Sequence, residues 1–182
     1  MIAFKSMLCL EALFFVVAAQ TPSGFNPSIT QPLKVTYGAN DISPAGKMIA
    51  RPETANPPTI GVPQNMISAT AKGFVAMVDL DVPRGNQRVT NLHWFAPNVD
   101  ISKANAVVPT GAGVVSYRQP SPPPGDTPHR YIYLMYAQPG NFTAPPQFAM
   151  LQQNRLGFDV NAFATMNGLG QPMAANFIMV QQ

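Results

Sequence analysis

The sequence predicts a mainly β domain with long ordered loops and two short helices near its C-terminus. Twenty prolines are spread along the 182 residues, and proline is disfavoured inside helices and central strands. The strongest apolar runs are short and rich in β-branched and aromatic residues, as in Tyr131–Tyr136, which is typical of buried strands. Helix signals begin only at Phe148. The chain shows no internal repeat and no linker, so we expect one domain.

Residues 1–19 have the pattern of a secretory signal peptide. Lys5 supplies a short positive region, Leu8–Ala18 an apolar run too short to span a bilayer, and Val17–Ala19 a small-residue cleavage site. Cleavage would also remove Cys9, the only cysteine. The sequence therefore predicts a secreted, extracellular protein without disulfides or thiol chemistry.

The remaining chain is long enough to bury a full core in one domain. Residues 20–32 are rich in Pro, Ser, Gly and Asn and predict a flexible N-terminal arm, which precedes a domain at 33–182. The sequon at Asn141 is a predicted N-glycosylation site if the chain enters the secretory pathway.

Five segments have the alternating or continuous apolar pattern of strands. They are Leu33–Tyr37, Phe74–Asp79, Leu92–Val99, Tyr131–Tyr136 and Asn176–Val180. Residues 40–65 carry five prolines and few large apolar side chains, so they predict a loop with short strands at most. Paired valines at 107–108 and 114–115 indicate a hairpin around Gly111 and Gly113.

Two short helices are predicted near the C-terminus. One covers Phe148–Leu156. The second begins after Asp159, whose carboxylate is a good N-cap, and runs through Asn167 to a stop at Gly168.

The charge pattern argues against nucleic-acid binding. The net charge is +3, and the eleven Lys and Arg residues are scattered singly without a basic run. Nucleic-acid sites usually need clustered basic residues. A mild positive charge is instead suited to attracting a small anion or an anionic lipid surface.

Two short blocks hold both histidines of the chain. The first runs Asp79-Leu-Asp81-Val-Pro83-Arg and reaches His93-Trp94. The second runs from Tyr117 through a triple-proline loop, Ser121-Pro-Pro-Pro-Gly125, to His129-Arg-Tyr131. Consecutive prolines hold a backbone nearly rigid, so such a loop loses little entropy when it closes on a ligand. The N–H groups at Ser121 and Gly125, together with the imidazoles and the Tyr131 hydroxyl, could form an anion cradle.

These blocks resemble those of the phosphatidylethanolamine-binding protein family, which includes Raf kinase inhibitor proteins, plant flowering-time regulators and fungal carboxypeptidase Y inhibitors. The resemblance continues in a C-terminal run that includes Arg155, Phe158, Leu169-Gly170 and Phe177. Leu80 stands where the family has a proline between its two aspartates. The resemblance implies a Greek-key-like β-sandwich with short C-terminal helices.

The resemblance also implies a small pocket for a phosphate or phosphoryl head group. The matching positions are Asp79, Asp81, Pro83, His93, Ser121, Pro123, His129 and Tyr131. In this picture the aspartates orient the histidines or meet an ammonium group, and His93, His129 and Tyr131 face the phosphate oxygens. Arg130 points away and braces the loop against Asp79 or Asp126. Protonation of the histidines would then strengthen phosphate binding as pH falls.

The function implied is that of a non-catalytic, monomeric binding protein for phospholipid head groups or phosphorylated small ligands, compatible with peripheral membrane contact. The alternative is a protease inhibitor or signalling modulator that acts through protein contacts, with the arm at 20–32 as the place to look. No cofactor and no metal are implied.

The same residues are also compatible with other roles. Asp79 and Asp81 are suited to capping a turn, His93 to a satisfied core position, and the triple proline to binding another protein as a polyproline II helix. Two Asp and two His are an adequate metal-ligand set, but they lack a metal-type spacing. A hydrolase would need a serine such as Ser121 or Ser116 beside a base, and no Gly-x-Ser-x-Gly elbow is present.

Overall fold

A computed structural model of the chain describes residues 18–67, 72–106, 108, 115–140, 142 and 148–182. The described residues form eight strands and two helices. The strands are β1 (Lys34–Tyr37), β2 (Asn40–Asp41), β3 (Lys47–Met48), β4 (Thr59–Gly61), β5 (Lys72–Arg84), β6 (Gln87–Asp100), β7 (His129–Gln138) and β8 (Ala174–Val180). The helices are α1 (Phe148–Leu151) and α2 (Val160–Met166), and two 3-10 turns lie at Arg51–Thr54 and Gln64–Met66.

The larger sheet has five strands in the order β3-β8-β7-β5-β6. Its neighbours are antiparallel except for β3, which is parallel to β8. Successive side chains on a strand point to opposite faces, so the central strands divide their residues between two cores. Met77 and Tyr131 lie in one core, and Val78 and Ile132 lie in the other.

A second sheet of three strands, β2-β1-β4, covers the first of these faces. Val35, Tyr37 and Ile60 of this sheet belong to the same buried cluster as Met77 and Tyr131. Helix α2 covers the opposite face through Val160 and Phe163. The prediction of a mainly β fold with two sheets is therefore confirmed.

Strands β5 and β6 extend well beyond the predicted segments. They form a long antiparallel ribbon that turns tightly at Gly85, where φ is +60°. The ladder between β5 and β7 ends at Asp79, and the ladder between β5 and β6 is irregular between Asp79 and Val82. Pro83 is tolerated in the two-stranded part because its missing N–H faces no third strand.

The N-terminal arm lies against the domain. The Gln20 N–H donates to the Ile29 carbonyl at 2.7 Å, and the Ala175 N–H of β8 donates to the Gln31 carbonyl at 3.1 Å. Arg130 donates to the Ser23 carbonyl at 3.3 Å. The arm is thus joined by its main chain to both ends of the β7–β8 pair.

The helix predictions have two outcomes. Asp159 caps α2 by accepting from the Asn161 and Ala162 N–H groups, both at 2.9 Å, and Gly168 follows with φ +64°, as predicted. Helix α1 is shorter than predicted, because the chain leaves the helix before Arg155 and Leu156 reach β6.

None of the described helices has the length and apolarity to cross a membrane. Most of the signal peptide, Asn141, and the hairpin around Gly111 and Gly113 lie outside the described residues.

Candidate functional site

Three neighbouring strands bring the two sequence blocks together. Asp79 on β5 is the ladder partner of Tyr131 on β7 and of Asn91 on β6. His129 and His93 each lie two residues from one of these partners and therefore share their face of the sheet. The resemblance placed Asp79, His93, His129 and Tyr131 in one pocket, and the ladder register explains how they meet.

A cleft of about 520 Å³ opens above these residues. It is lined by Asp79, Val82, Pro83, Asn91, His93, Arg118, Gln119, Ser121, Pro123 and His129. A larger cleft of about 580 Å³ lies between the arm and β1–β2, but its charged residues, Lys34 and Asp41, pair with each other at 3.5 Å. We place the candidate site in the smaller cleft because the buried titratable groups converge there.

His129 is held between two carboxylates. Its Nδ1 lies 2.9 Å from Oδ2 of Asp79, and its Nε2 lies 3.0 Å from Oδ2 of Asp126. Because an ionised carboxylate only accepts, both ring nitrogens donate and the ring is an imidazolium. Burial opposes this charge, but the carboxylates of Asp126 and Asp79 outweigh it and raise the pKa of His129. His129 therefore has no free N–H for a phosphate oxygen, contrary to the role expected from the sequence.

Asp126 is in turn fixed by Arg88. The guanidinium donates to both carboxylate oxygens, at 2.6 and 2.7 Å. Arg88 and then His129 lower the pKa of Asp126. This bidentate pair holds the end of the proline loop against the β5–β6 ribbon.

Asp81 forms an ion pair with Arg130 rather than facing the cleft. Its carboxylate accepts from the Arg130 N–H and Nε at 2.8 Å and from Nη2 at 2.7 Å. Burial raises the pKa of Asp81, but these donors outweigh burial and lower it. Arg130 does form the expected ion pair, but its partner is Asp81 and not Asp79 or Asp126 as the sequence suggested. Sequence could not choose among three nearby carboxylates.

Asp79 is almost fully buried. Its Oδ1 accepts from the Asp81 N–H at 2.8 Å, and its Oδ2 accepts from His129. The sequence left two alternatives for Asp79, a turn-capping hydrogen bond and a place in the pocket. The same side chain does both. Leu80 points to the opposite core, so the residue that replaces the family's proline does not enter the cleft.

His93 presents an acceptor to the cleft. Its Nδ1 lies 2.9 Å from the Arg118 carbonyl oxygen, and a carbonyl only accepts, so Nδ1 carries the proton. Burial lowers the pKa of His93 and thus favours the neutral ring, although Asp79 acts in the opposite direction. Nε2 of that ring is an acceptor and lies 3.9 Å from Oδ2 of Asp79. Nε2 of His93 and Oδ2 of Asp79 are thus two acceptors that face each other, and among the described residues no donor is hydrogen-bonded to Nε2.

The Tyr131 hydroxyl is buried behind the histidines, and Tyr131 is not one of the residues that line the cleft. The Tyr131 ring meets His93 edge-on at 5.0 Å and stacks on His129 at 6.3 Å. Burial, followed by the Asp79 charge, raises the pKa of Tyr131, while the Ser121 N–H lowers it. Asp79 and the Ser121 N–H are its polar neighbours, but by distance and angle the hydroxyl has no hydrogen-bond partner among the described residues.

The proline loop forms the outer wall. The Ser121 hydroxyl accepts from Arg51 at 3.2 Å and donates to the Gln119 carbonyl at 3.2 Å. The Gly125 N–H donates to the Gln182 carbonyl at 3.4 Å. Gly125 therefore does not contribute the N–H expected for an anion cradle, whereas Ser121 and Pro123 do line the cleft.

Sequence reasoning missed several residues at this site, among them Asn91, Arg118 and Arg155. Asn91 could have been found from its position two residues before His93, whereas nothing in the sequence marks Arg118. Arg155 is 4 % exposed and donates to the carbonyls of Ser116 at 2.8 Å and His93 at 3.2 Å. It joins β6 to the segment that leads into the proline loop, a role that only the fold shows.

Comparison with known proteins identifies the family of the chain. The sequence profile of the phosphatidylethanolamine-binding protein family matches residues 23–179. The chain belongs to this family. The matched region contains the arm from Ser23 onward, both sequence blocks and nearly all of β8.

Two relatives and one solved structure represent the similarity. Phomoidride biosynthesis cluster protein N of Talaromyces stipitatus is 29% identical over 178 residues, covering 88% of this chain and 89% of that protein. The 26 kDa secreted antigen of Toxocara canis is 29% identical over 175 residues, covering 92% of this chain and 63% of that protein. The structure of carboxypeptidase Y inhibitor complexed with its cognate proteinase aligns with a TM-score of 0.60, 21% identity and 85% coverage of each chain. At that identity the structural match supports the fold alone.

Proposed function

We propose that this family member is a non-catalytic binding protein whose cleft takes a small phosphate-bearing ligand, either a phospholipid head group or a free phosphorylated compound. The observation that carries the proposal is a group of polar atoms at and directly behind the cleft. The Tyr131 hydroxyl is buried and has no hydrogen-bond partner among the described residues, and Nε2 of His93 lies 3.9 Å from the Asp79 carboxylate. Buried polar groups are normally satisfied, and of the two buried hydroxyls without a partner in the described residues, that of Tyr131 is the one whose ring lies against the histidines of the cleft, which supports a ligand there.

The unpaired atoms define the chemistry of that ligand. A donor is needed between Nε2 of His93 and Oδ2 of Asp79, and an acceptor is needed for the Tyr131 hydroxyl. The monoanion of a phosphate monoester carries both, since it has one P–O–H group and two unprotonated oxygens. Phosphorylethanolamine adds an ammonium group, which is a still better donor toward a carboxylate.

The serine and histidine side chains described at the cleft are not arranged as an activated nucleophile. The Ser121 hydroxyl is bonded to Arg51 and to a main-chain carbonyl, and both nitrogens of His129 donate to carboxylates. In the described parts of the chain no histidine is hydrogen-bonded to a serine hydroxyl, which is the arrangement that nucleophilic catalysis requires. Binding is therefore the better-supported role.

Secretion belongs to the same proposal. It is supported by the leader-like pattern of residues 1–19 and by the similarity to a protein named as a secreted antigen. N-terminal sequencing of protein from the culture medium of an expressing host tests it, with Gln20 as the expected first residue. A role as protease inhibitor or signalling modulator stays a prediction.

The experiment that tests the binding proposal uses the two histidines as probes. The purified protein is titrated with inorganic phosphate, phosphorylethanolamine and phosphatidylethanolamine vesicles, and the imidazole resonances of His93 and His129 are followed by NMR. Saturable shifts with the soluble ligands identify a free phosphorylated compound as sufficient, and shifts with vesicles alone identify a lipid surface. Unchanged resonances with all three ligands, in a folded protein, would refute the proposal.

A further inference from the structure

The charges around the cleft are nearly all paired with each other. The Asp79 carboxylate is matched by the His129 imidazolium, Asp126 by Arg88, and Asp81 by Arg130. His93 adds no charge, because its pKa is lowered. These groups cancel, so they give an incoming anion little net attraction.

Arg118 is the exception in the lining. Its N–H donates to the His93 carbonyl at 2.9 Å, and its own carbonyl accepts from Nδ1 of His93 at 2.9 Å. These two bonds fix its main chain at the wall of the cleft, while the residue itself is exposed. In the described part of the molecule, no carboxylate pairs with its guanidinium.

The guanidinium also acts on the buried groups behind the cleft. Burial first, and the Arg118 charge second, lower the pKa of Arg155 to about 10. Arg155 itself donates to the His93 carbonyl, so the positive charge of Arg118 is felt at the residue that holds His93 in place. Arg51 is bonded to the neutral Ser121 hydroxyl at the rim and keeps its charge, but it is not one of the residues that line the cleft.

We propose that Arg118 is the residue that makes this cleft select anions, because it supplies the positive charge that the paired groups of the lining do not. This inference rests on the proposed binding function and deepens it. A planar guanidinium matches two phosphate oxygens at once, which suits Arg118 to the outward-facing oxygens of a phosphate whose inner side meets Tyr131 and His93.

The test compares Arg118→Gln with a matched control, Arg84→Gln. Both changes remove one exposed guanidinium, and Arg84 lies at the end of β5 outside the cleft lining. We expect Arg118→Gln to weaken inorganic phosphate binding at least about tenfold at low ionic strength, the loss typical of a charge-assisted contact. Arg84→Gln should stay within about twofold of wild type, and added salt should weaken wild type more than Arg118→Gln.

For a cationic probe, the affinity should change in the opposite direction. Ethanolamine supplies a donor for His93 and Asp79 but carries no anionic group, so Arg118→Gln should bind it more tightly than wild type does. Equal phosphate affinity of wild type and Arg118→Gln would overturn the inference while leaving the binding proposal intact. Equal losses in the Arg118 and Arg84 variants would also overturn it, because general charge would then explain the effect. Failure of wild type itself to bind phosphate would overturn the proposed function first.

Discussion

Replacement of Tyr131 by Phe tests whether the Tyr131 hydroxyl binds the ligand or is only buried. Two tyrosines of β7, Tyr131 and Tyr136, bury a hydroxyl that has no partner among the described residues. They point to opposite faces of the sheet, and only Tyr131 contacts the histidines of the cleft. Tyr136→Phe is therefore a matched control with the same chemical change on the same strand.

The expected magnitudes follow from the desolvation of the hydroxyl. A buried hydroxyl without a partner costs roughly 1–3 kcal/mol, so either substitution should leave the free energy of unfolding unchanged or raise it by about 1 kcal/mol. Ligand binding should differ between them. A hydrogen bond to a charged phosphate contributes roughly 1.5–3 kcal/mol, and Tyr131→Phe should therefore weaken phosphate affinity by about tenfold or more. Tyr136→Phe should not change it.

Urea unfolding and phosphate titration of both variants measure these effects. Destabilisation by Tyr131→Phe of more than about 1 kcal/mol would show that the hydroxyl already has a partner in the free protein, and the argument from an unsatisfied atom would fail. Wild-type phosphate affinity in Tyr131→Phe would equally refute the role given to this hydroxyl.

Three further predictions concern two groups that hold the cleft in shape and the cap of helix α2. Arg130→Ala should destabilise the protein by about 1–2 kcal/mol in urea unfolding, less than for a fully buried pair, because the guanidinium is partly exposed and screened while Asp81 is left unpaired. Because the pKa of His129 is raised in the folded state, its protonation stabilises the fold, and this contribution is complete below about pH 6.5 and lost as pH rises through the folded-state pKa. The free energy of unfolding should therefore fall across that window in wild type and change less in His129→Gln. Asp159→Ala should cost about 1 kcal/mol by removing the cap of α2, whereas Asp159→Asn should cost little, as read from thermal unfolding.

The sequence predicted the strands well because their signal is local. Apolar runs such as Tyr131–Tyr136 are long enough to show their period and composition, and Asp159 with Gly168 defines a helix by side-chain chemistry alone. The ends of β5 and β6 were missed because their ribbon contains polar residues and Pro83, which a two-stranded segment tolerates.

The choice of partners within the site could not be predicted from the sequence. Asp79, Asp81 and Asp126 all belong to the two sequence blocks, the second of which also contains Arg130, and spacing along the chain does not decide which carboxylate its fork fits; in the fold it is Asp81. The free charge of Arg118 was missed for a related reason. A single arginine in a sequence carries no sign of being unpaired, and that property exists only after every neighbouring carboxylate has been assigned.

The two histidines of the cleft have different tasks, and this changes what pH should do. The sequence treats them alike and predicts stronger phosphate binding as both become protonated. In the structure His129 is already an imidazolium that joins Asp79 to Asp126, so its proton belongs to the scaffold. His93 keeps a bare Nε2 beside Asp79, and its lowered pKa preserves that acceptor at neutral pH. Protonation of His93 would place a donor where the ligand's own donor is needed. In the proposed function, the groups that recognise a ligand are thus His93, Tyr131 and Arg118, while the more heavily bonded residues of the same blocks hold them in position.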